Sequence, residues 1–514
     1  MTGTLFGIYN AQRSLAMNQA VIDLINNNIS NMNTPGYSKQ RAEIAQQTSG
    51  NNSTIPQNAC QDVMGAVITD ITRNRDSYLD NYYRTQNSDL NYYQELSENA
   101  GLIENITNEL DNIGINNSLN EFYKSLSQLS TNSTDVVARN NVVQKAIELT
   151  TKFNSAYSRL EDQRTSLVGD ITPSGLENSK IKAAVDDLND KLSAVAGLND
   201  NIVLTSSQGN SPNYLLDQRD MLLDKISALI PVDISLQSNG AVTLTLGNTT
   251  LVSGREQIGN FEITTGTVDN PAIVQIKNPT GGIYVADAYS LIDSGKIGAI
   301  LEMGGSEANK LTIKSVMDDL TTLAQQFATE INAIQTGGQI IDSSANPHVL
   351  TLDGDPATAG VDPIPNLFVD DAATGTTAGI TAGNICINNA IINDPYKIAA
   401  ADAVSDPTET GDGGNAASMY QVRDILIAGL GSCTAEQYIT NLAGELGSKA
   451  STIEHNLDIK ENVSQQISLK RHSVIGVNLD EEMTDLIKFQ RAYEASARVF
   501  SIIDQNIKTI LNMI

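Results

Sequence analysis

Among its 514 residues the sequence has no tryptophan, three cysteines and only 32 Lys plus Arg against 60 Asp plus Glu. The resulting formal net charge of −28 repels phosphate backbones and anionic lipid, so neither nucleic acid nor a membrane surface is expected as a partner. Cys60, Cys386 and Cys433 are odd in number and far apart. They make neither a disulfide framework nor zinc spacing, and free thiols are expected. Aromatics are 5% of the chain, too few for a broad aromatic-lined pocket. No run of 18 apolar residues offers a membrane span. The first twenty residues lack a basic stretch followed by an apolar core, so a cleavable secretory signal is not expected there.

Catalytic constellations are missing as well. The histidines are His348, His455 and His472, and Glu454-His455 lacks the second histidine of H-E-x-x-H. There is no P-loop and no G-x-S-x-G. Asp353-Gly354-Asp355 and Asp412-Gly413-Gly414-Asn415 do not complete EF-hand spacing and read as turns. No enzyme, no metal and no cofactor are expected.

What is present is periodicity. Ile8, Ala11, Leu15, Asn18, Ile22, Ile25, Ile29 and Met32 step by three and four, the spacing of a coiled-coil seam, with Asn18 as a polar insertion. Thr34-Pro35-Gly36-Tyr37 then reads as a turn, with proline and glycine at the positions that suit them. At the other end Leu479, Met483, Leu486, Gln490, Tyr493, Ala497, Phe500, Asp504, Ile507, Leu511 and Ile514 repeat the seam over about 54 Å at 1.5 Å per residue. Asp480-Glu481-Glu482 opens that helix, where acidic groups favour the helix dipole. Two paired helices alone leave most of their outer surface wet. The terminal pair is therefore expected to become firm only when neighbouring copies cover it.

Between the ends the period changes twice. Residues 78–205 read as mostly helical, with one helix over 176–198 ending near Gly197, and 214–230 as a further helix stopped by Pro231. Val232, Ile234 and Leu236, then Asn239-Gly240, then Val242, Leu244 and Leu246 signal a β-hairpin. β character continues to about residue 290. Helix returns over 309–334, residues 336–395 read as loops and strands, and helices resume near 415. The length allows about three or four domains. The expected class is α+β and multi-domain. A terminal coiled coil (1–60 and 470–514) joins a helical domain (61–231, 295–335 and 396–469), which carries a β-rich outer part (232–294 and 336–395). The pairs Tyr82-Tyr83 and Tyr92-Tyr93 are expected to pack between helices rather than to form a contact patch.

Asn27-Asn28-Ile29-Ser30-Asn31 with Thr34-Pro35-Gly36-Tyr37 resembles the N-terminal signature of bacterial flagellar rod, hook and hook-associated proteins. Gly476-Val477-Asn478-Leu479-Asp480-Glu481-Glu482 with Phe489-Gln490-Arg491-Ala492-Tyr493-Glu494-Ala495-Ser496-Ala497-Arg498 resembles their C-terminal signature. Tyr37-Ser38-Lys39-Gln40, the Leu119–Leu126 helix with Ala138-Arg139, Pro212–Asp220 (PNYLLDQRD) and Gly295–Leu301 are similar to the hook-associated proteins of the hook–filament junction. The resemblance covers roughly residues 1–230, 295–335 and 395–514.

The resemblance implies a structural protein with no catalytic site. It would be exported unfolded through the flagellar type III channel and would assemble outside the cell as part of the flagellum. Its implied partners are further copies of itself in a ring, the hook protein, the next hook-associated protein on the filament side and an export chaperone. The candidate inner-tube residues are Ile8, Leu15, Ile22, Asn28, Ile29, Asn31, Gly36, Tyr37, Leu479, Phe489, Gln490, Tyr493 and Ala497. The candidate chaperone anchors are Leu486, Phe489, Tyr493, Phe500 and Ile507. The competing readings are another axial protein, such as the hook protein, and a secreted adhesin.

Overall fold

The computed structural model describes residues 2–46, 66–112, 114–307, 309–345, 348–354, 362–370 and 374–512. Cys60, Asp355, Ile514 and the side chain of Leu511 lie outside the described part.

The chain opens with α1 (Thr2–Ser30), turns, and continues as an antiparallel hairpin of β1 (Gln40–Gln46) and β2 (Ala66–Arg73). The turn has the form its residues dictate. Gly36 takes φ +80°, and the Tyr37 amide donates to the Thr34 carbonyl at 3.2 Å. Then come α2 (Ser77–Asn112), α3 (Ile115–Thr131), α4 (Val136–Val168), a short α5 (Pro173–Glu177), α6 (Lys180–Ser207) and α7 (Asn213–Leu229). Asp135 caps α4 by accepting from the Val137 amide. The expected end near Gly197 is overturned, because α6 runs through it to Ser207. A glycine costs a helix only about 1 kcal/mol relative to alanine, and buried Leu192, Val195 and Ile202 on either side hold the helix to the core.

Seven antiparallel strands follow in two sheets. β3 (Asp233–Leu236), β4 (Val242–Leu246), β5 (Thr249–Ser253) and β6 (Glu256–Gln257) form the first. β7 (Asn260–Thr265), β8 (Ala272–Lys277) and β9 (Ile283–Val285) form the second. Asn239-Gly240 lies in the β3–β4 turn, with Gly240 at φ +86°. After α8 (Gly295–Gly304) and α9 (Ile313–Gly337), the short strands β10 (Ile340–Asp342), β11 (Val349–Thr351), β12 (Phe368–Val369) and β13 (Cys386–Ile387) make two pairs. These share no strand with the earlier sheets. The chain closes with α10 (Asn389–Asn393), α11 (Gly414–Gln421), α12 (Ala435–Ile475) and α13 (Leu479–Asn512).

One core joins helices and sheets. Phe122 of α3 meets Phe327 of α9 edge-on at 6.0 Å and Phe368 of β12 at 5.6 Å. Leu244, Phe261, Val274 and Ile276 belong to the same buried cluster as Leu126 and Leu149, so the strands are sealed onto the helices. Buried Arg139 ties in a distant segment, its Nη1 donating to the Ile398 carbonyl at 2.7 Å and its Nε to the Ser133 carbonyl at 2.8 Å. α2 and α12 run antiparallel out of this core, as the pairs Asp89–Lys460 and Asp80–Arg471 show. From Leu96, where α2 enters the core, back to Ser77 is about 28 Å of helix.

α1 and α13 pair antiparallel at the end of that stem. A Cβ on Gly7 would lie 3.2 Å from Ile503 Cδ1, and Asn18 Nδ2 reaches Ser496 Oγ at 3.5 Å. The contact face is rotated by about one residue from the expected seam. Among the described side chains of α1, Ala11, Asn18, Val21, Leu24, Ile25 and Asn28 are buried, whereas Ile8, Leu15, Ile22 and Ile29 are half-buried, and Met32 just beyond the helix is exposed. In α13 only Glu482 is buried among the side chains described, and Met483, Gln490 and Tyr493 face solvent. The physical reason is that a lone antiparallel pair buries one edge of each apolar stripe and leaves the other uncovered.

Candidate assembly surface

Three motifs that lie hundreds of residues apart in the chain meet at one joint between the terminal pair and the stem. The first is centred on Asn28. Its Oδ1 accepts from the Tyr37 hydroxyl at 2.7 Å and the Gln40 amide at 3.0 Å, and its Nδ2 donates to the Gln40 carbonyl at 2.9 Å and Glu482 Oε2 at 3.1 Å. A buried side-chain amide is satisfied only by such a full set of partners. Glu482 is 2% exposed and also pairs with Lys39 at 2.9 Å. The dipole reading of the acidic run thus holds for its position on the helix but misses the role of Glu482, which locks the two chain ends together.

The second motif is the acidic face of α7. Asp217, Asp220 and Asp224 step by three and four, so they form one stripe. Arg73, Arg75, Arg84 and Arg471 face it. Arg73 bridges Asp217 and Asp220, each at 2.8 Å. Arg75 reaches Asp220 at 3.2 Å and Asp80 at 2.9 Å, Arg84 reaches Asp224 at 2.8 Å, and Arg471 joins Asp80 and Asp224, each at 2.7 Å. Four aspartates and four arginines therefore balance, as low-exposure charges must. Burial alone would raise the Asp220 carboxyl, but Arg75, Arg73 and Arg84 hold it below its usual range. Burial, helped by Asp217 and Glu482, pushes the Tyr37 hydroxyl up to about 12. Arg219 points away from this stripe, donating to Asn199 Oδ1 and the Gly240 carbonyl.

The third motif supplies the break between α12 and α13. The Lys39 amide donates to the Ile475 carbonyl at 2.9 Å, and Asn74 Nδ2 to the Val474 carbonyl at 2.8 Å. Beyond the joint the pair carries bare apolar side chains: Tyr9 on α1, and Leu479, Met483, Ile487, Val499 and Ile502 on α13. Ile487 and Ile502 are 54% and 57% exposed. The expected chaperone anchors Leu486, Phe489, Phe500 and Ile507 are half-buried, and only Tyr493 is exposed. Asn31 makes local contacts, to the Asn27 carbonyl and Thr34. Sequence reasoning missed Ile487, Val499 and Ile502, which lie off the three-four repeat. Tyr82 stacks on exposed Tyr78, and Tyr83 lies under Arg471, whose guanidinium carbon sits 4.5 Å from the ring centre. Tyr92 and Tyr93 pack against the core. Among the described residues no group of three His, Cys, Asp or Glu side chains could hold a metal, and no helix is long and apolar enough to cross a membrane.

Residues 100–347 match the family model described as the flagellar hook-associated protein FlgK helical domain. Residues 474–513 match that of the flagellar basal body rod FlgEFG protein C-terminal. The flagellar hook-associated protein 1 of Bacillus subtilis is 26% identical, over 100% of this chain and 99% of its own. That of Salmonella typhimurium is 25% identical, over 98% and 99%. The chain is similar to the flagellar hook-associated proteins. In this family the helical-domain match covers most of the core, and the rod-type match covers α13 and the break that precedes it. A structure described as the flagellar hook junction protein FlgK from Burkholderia pseudomallei shares the fold, with a TM-score of 0.55 at 16% identity, covering 77% of this chain and 100% of that one.

Proposed function

We propose that this chain is a structural adaptor of the hook–filament junction, with no catalytic role. One observation carries the reading: a polar joint built from both terminal signatures holds out a helix pair whose apolar flank is bare. An apolar surface held in water by a purpose-built joint is a surface waiting for a partner. The partner that fits is a further copy of the chain, packed side by side so that α1 and α13 line an inner tube. Ile8, Leu15, Ile22 and Ile29, half-buried in the single chain, become fully covered in that packing, and so do Leu479, Met483 and Ile487. In this reading α1, the β1–β2 hairpin and α13 form the inner, terminal unit, the helices from α2 to α12 form the body, and the strands within 232–294 and 336–395 are carried on that body. The ring meets hook protein on one side and the next hook-associated protein on the other, outside the cell. Before export the same bare flank of α13 suits a chaperone groove.

Deleting the gene tests the role: hooks should remain without filaments, and flagellin should be shed into the medium. Complementation tests the surface. Met483→Asp with Ile487→Asp should be secreted yet fail to restore filaments. Full motility from that variant would overturn the inner-tube assignment.

A further inference from the structure

We propose that neighbouring copies in the ring meet through the stem, with the Tyr78–Tyr82 pair of one copy seated in the cleft between α2 and α12 of the next. This rests on the junction reading above and adds the contact that sets how the copies are spaced.

The stem has two unlike flanks. α2 turns Arg84 and Ser88 toward the body, where Arg84 pairs with Asp224 of α7 at 2.8 Å and Ser88 Oγ meets Ser294 Oγ at 2.8 Å. Tyr83 turns toward α12 and lies under Arg471. Tyr82 points about 100° away from Tyr83 around the helix, and buried Leu79 falls between the two directions, so the two tyrosines look out on different flanks. The expected packing between helices thus holds for Tyr83 and fails for Tyr82. Tyr78, one turn back on the same face, stacks on Tyr82 with ring centres 6.4 Å apart and 13° between the planes, yet the two are 74% and 43% exposed. A pair already ordered by stacking loses little side-chain freedom when it is covered. The other flank is recessed. Tyr83 and Leu90 of α2, with Ser464, Gln465, Ser468 and Leu469 of α12, line a cleft of 410 Å³, and Glu461 lies at its inner end. Apolar walls beside hydroxyl acceptors, here Gln465 and Glu461, are the setting that suits a tyrosine.

Height makes the two features a match. The pairs Asp80–Arg471 and Asp89–Lys460 fix the register of the helices and put Tyr82 level with Leu469, at the outer end of the cleft. From Leu469 the cleft runs inward to Glu461, about 12 Å of helix. A copy displaced along the stem by about one turn, roughly 5 Å, brings its tyrosines into the cleft of its neighbour. A closed ring of more than two copies needs two different, complementary patches on every copy, and a protrusion on one flank with a recess on the other supplies them. Two tyrosine rings bury about 300–500 Å², short of the roughly 1,000 Å² a lasting interface needs. The contact therefore sets spacing and register, while the bare flank of α1 and α13 supplies the adhesion.

The test uses the full chain in cells lacking the native copy, with Cys60, Cys386 and Cys433 replaced by serine. Cells make two versions together, one carrying Tyr82→Cys and the other Gln465→Cys. Each chain then holds one cysteine, so any disulfide joins two copies. Isolated hooks, mildly oxidised, should yield a covalent dimer of the chain from the mixed strain and none from either version alone. In the cysteine-free chain, Tyr78→Ala with Tyr82→Ala should at least halve the swimming-ring diameter, and so should Leu469→Asp. Neither should lower the melting temperature of the monomer, and all three changes together should be no worse than the stronger of the two. No mixed dimer from hooks that contain both versions, dimers from Tyr82→Cys alone, or a lowered melting temperature would each overturn the proposal. Absence of the chain from isolated hooks, read by immunoblot, would overturn the junction reading itself and is distinct from a missing crosslink.

Discussion

The terminal unit and the body solve opposite problems. The body keeps its oily residues to itself: Phe122, Leu126, Leu149, Phe327 and their neighbours are sealed in one cluster. The terminal unit has α1 with a single buried stripe, and α13 buries only Glu482 among its described side chains. Charge divides the same way. Residues 2–46 and 479–512 carry seven basic and eight acidic side chains, so the remaining chain holds all but one of the net −28. A near-neutral, half-covered rod can crowd with its own kind, whereas strongly acidic bodies repel and stay soluble. Incompleteness at one end and self-sufficiency at the other are thus both written into the side chains.

The sharpest challenge to this contrast is a cavity in the body. Phe122→Ala should lower the unfolding free energy of the free chain by about 3–5 kcal/mol, read by denaturant titration. A loss well under 1 kcal/mol would mean the cluster is not the body's mainstay. Next comes acid at the joint. The Asp220 carboxyl is depressed in the folded chain. The stability it contributes is therefore complete above its unfolded value of about 3.9 and is lost as pH falls below that. The gap in stability between the parent and Asp220→Asn should be constant at neutral pH and narrow below about pH 4. A gap that widens on acidification would reverse the sign of the argument. A smaller effect tests local structure. Thr312 and Ser315 form a reciprocal cap on α9, and Thr312→Ala should cost about 1 kcal/mol. The smallest is expected on the bare flank, where Ile487→Ala should change monomer stability by no more than about 0.5 kcal/mol while weakening self-association in sedimentation. A large loss of monomer stability there would place Ile487 in the lone chain's own packing.

The turn at Pro35-Gly36, the β3–β4 hairpin and both terminal helices were readable from spacing, because each depends on residues close in the chain. The phase of the seam was not readable. A lone pair covers one edge of each stripe, and which edge depends on the partner's side chains, here the contact of Gly7 with Ile503 and of Asn28 with Glu482. The joint was invisible for a similar reason. Asn28, Ser38, Asp217 and Glu482 sit within recognisable motifs, but Arg73, Arg75, Arg84 and Arg471 are ordinary arginines until the fold gathers them. Gly197 misled because a glycine ends a helix only where nothing else holds the helix on.

Antiparallel pairing of α1 with α13 places Gly7 beside Ile503, so the start of α1 and the end of α13 lie at one tip. A purification tag or fluorescent fusion added beyond either extremity would crowd that tip. The exposed turn at Pro279-Thr280-Gly281 between β8 and β9 offers a site for such a handle away from that tip.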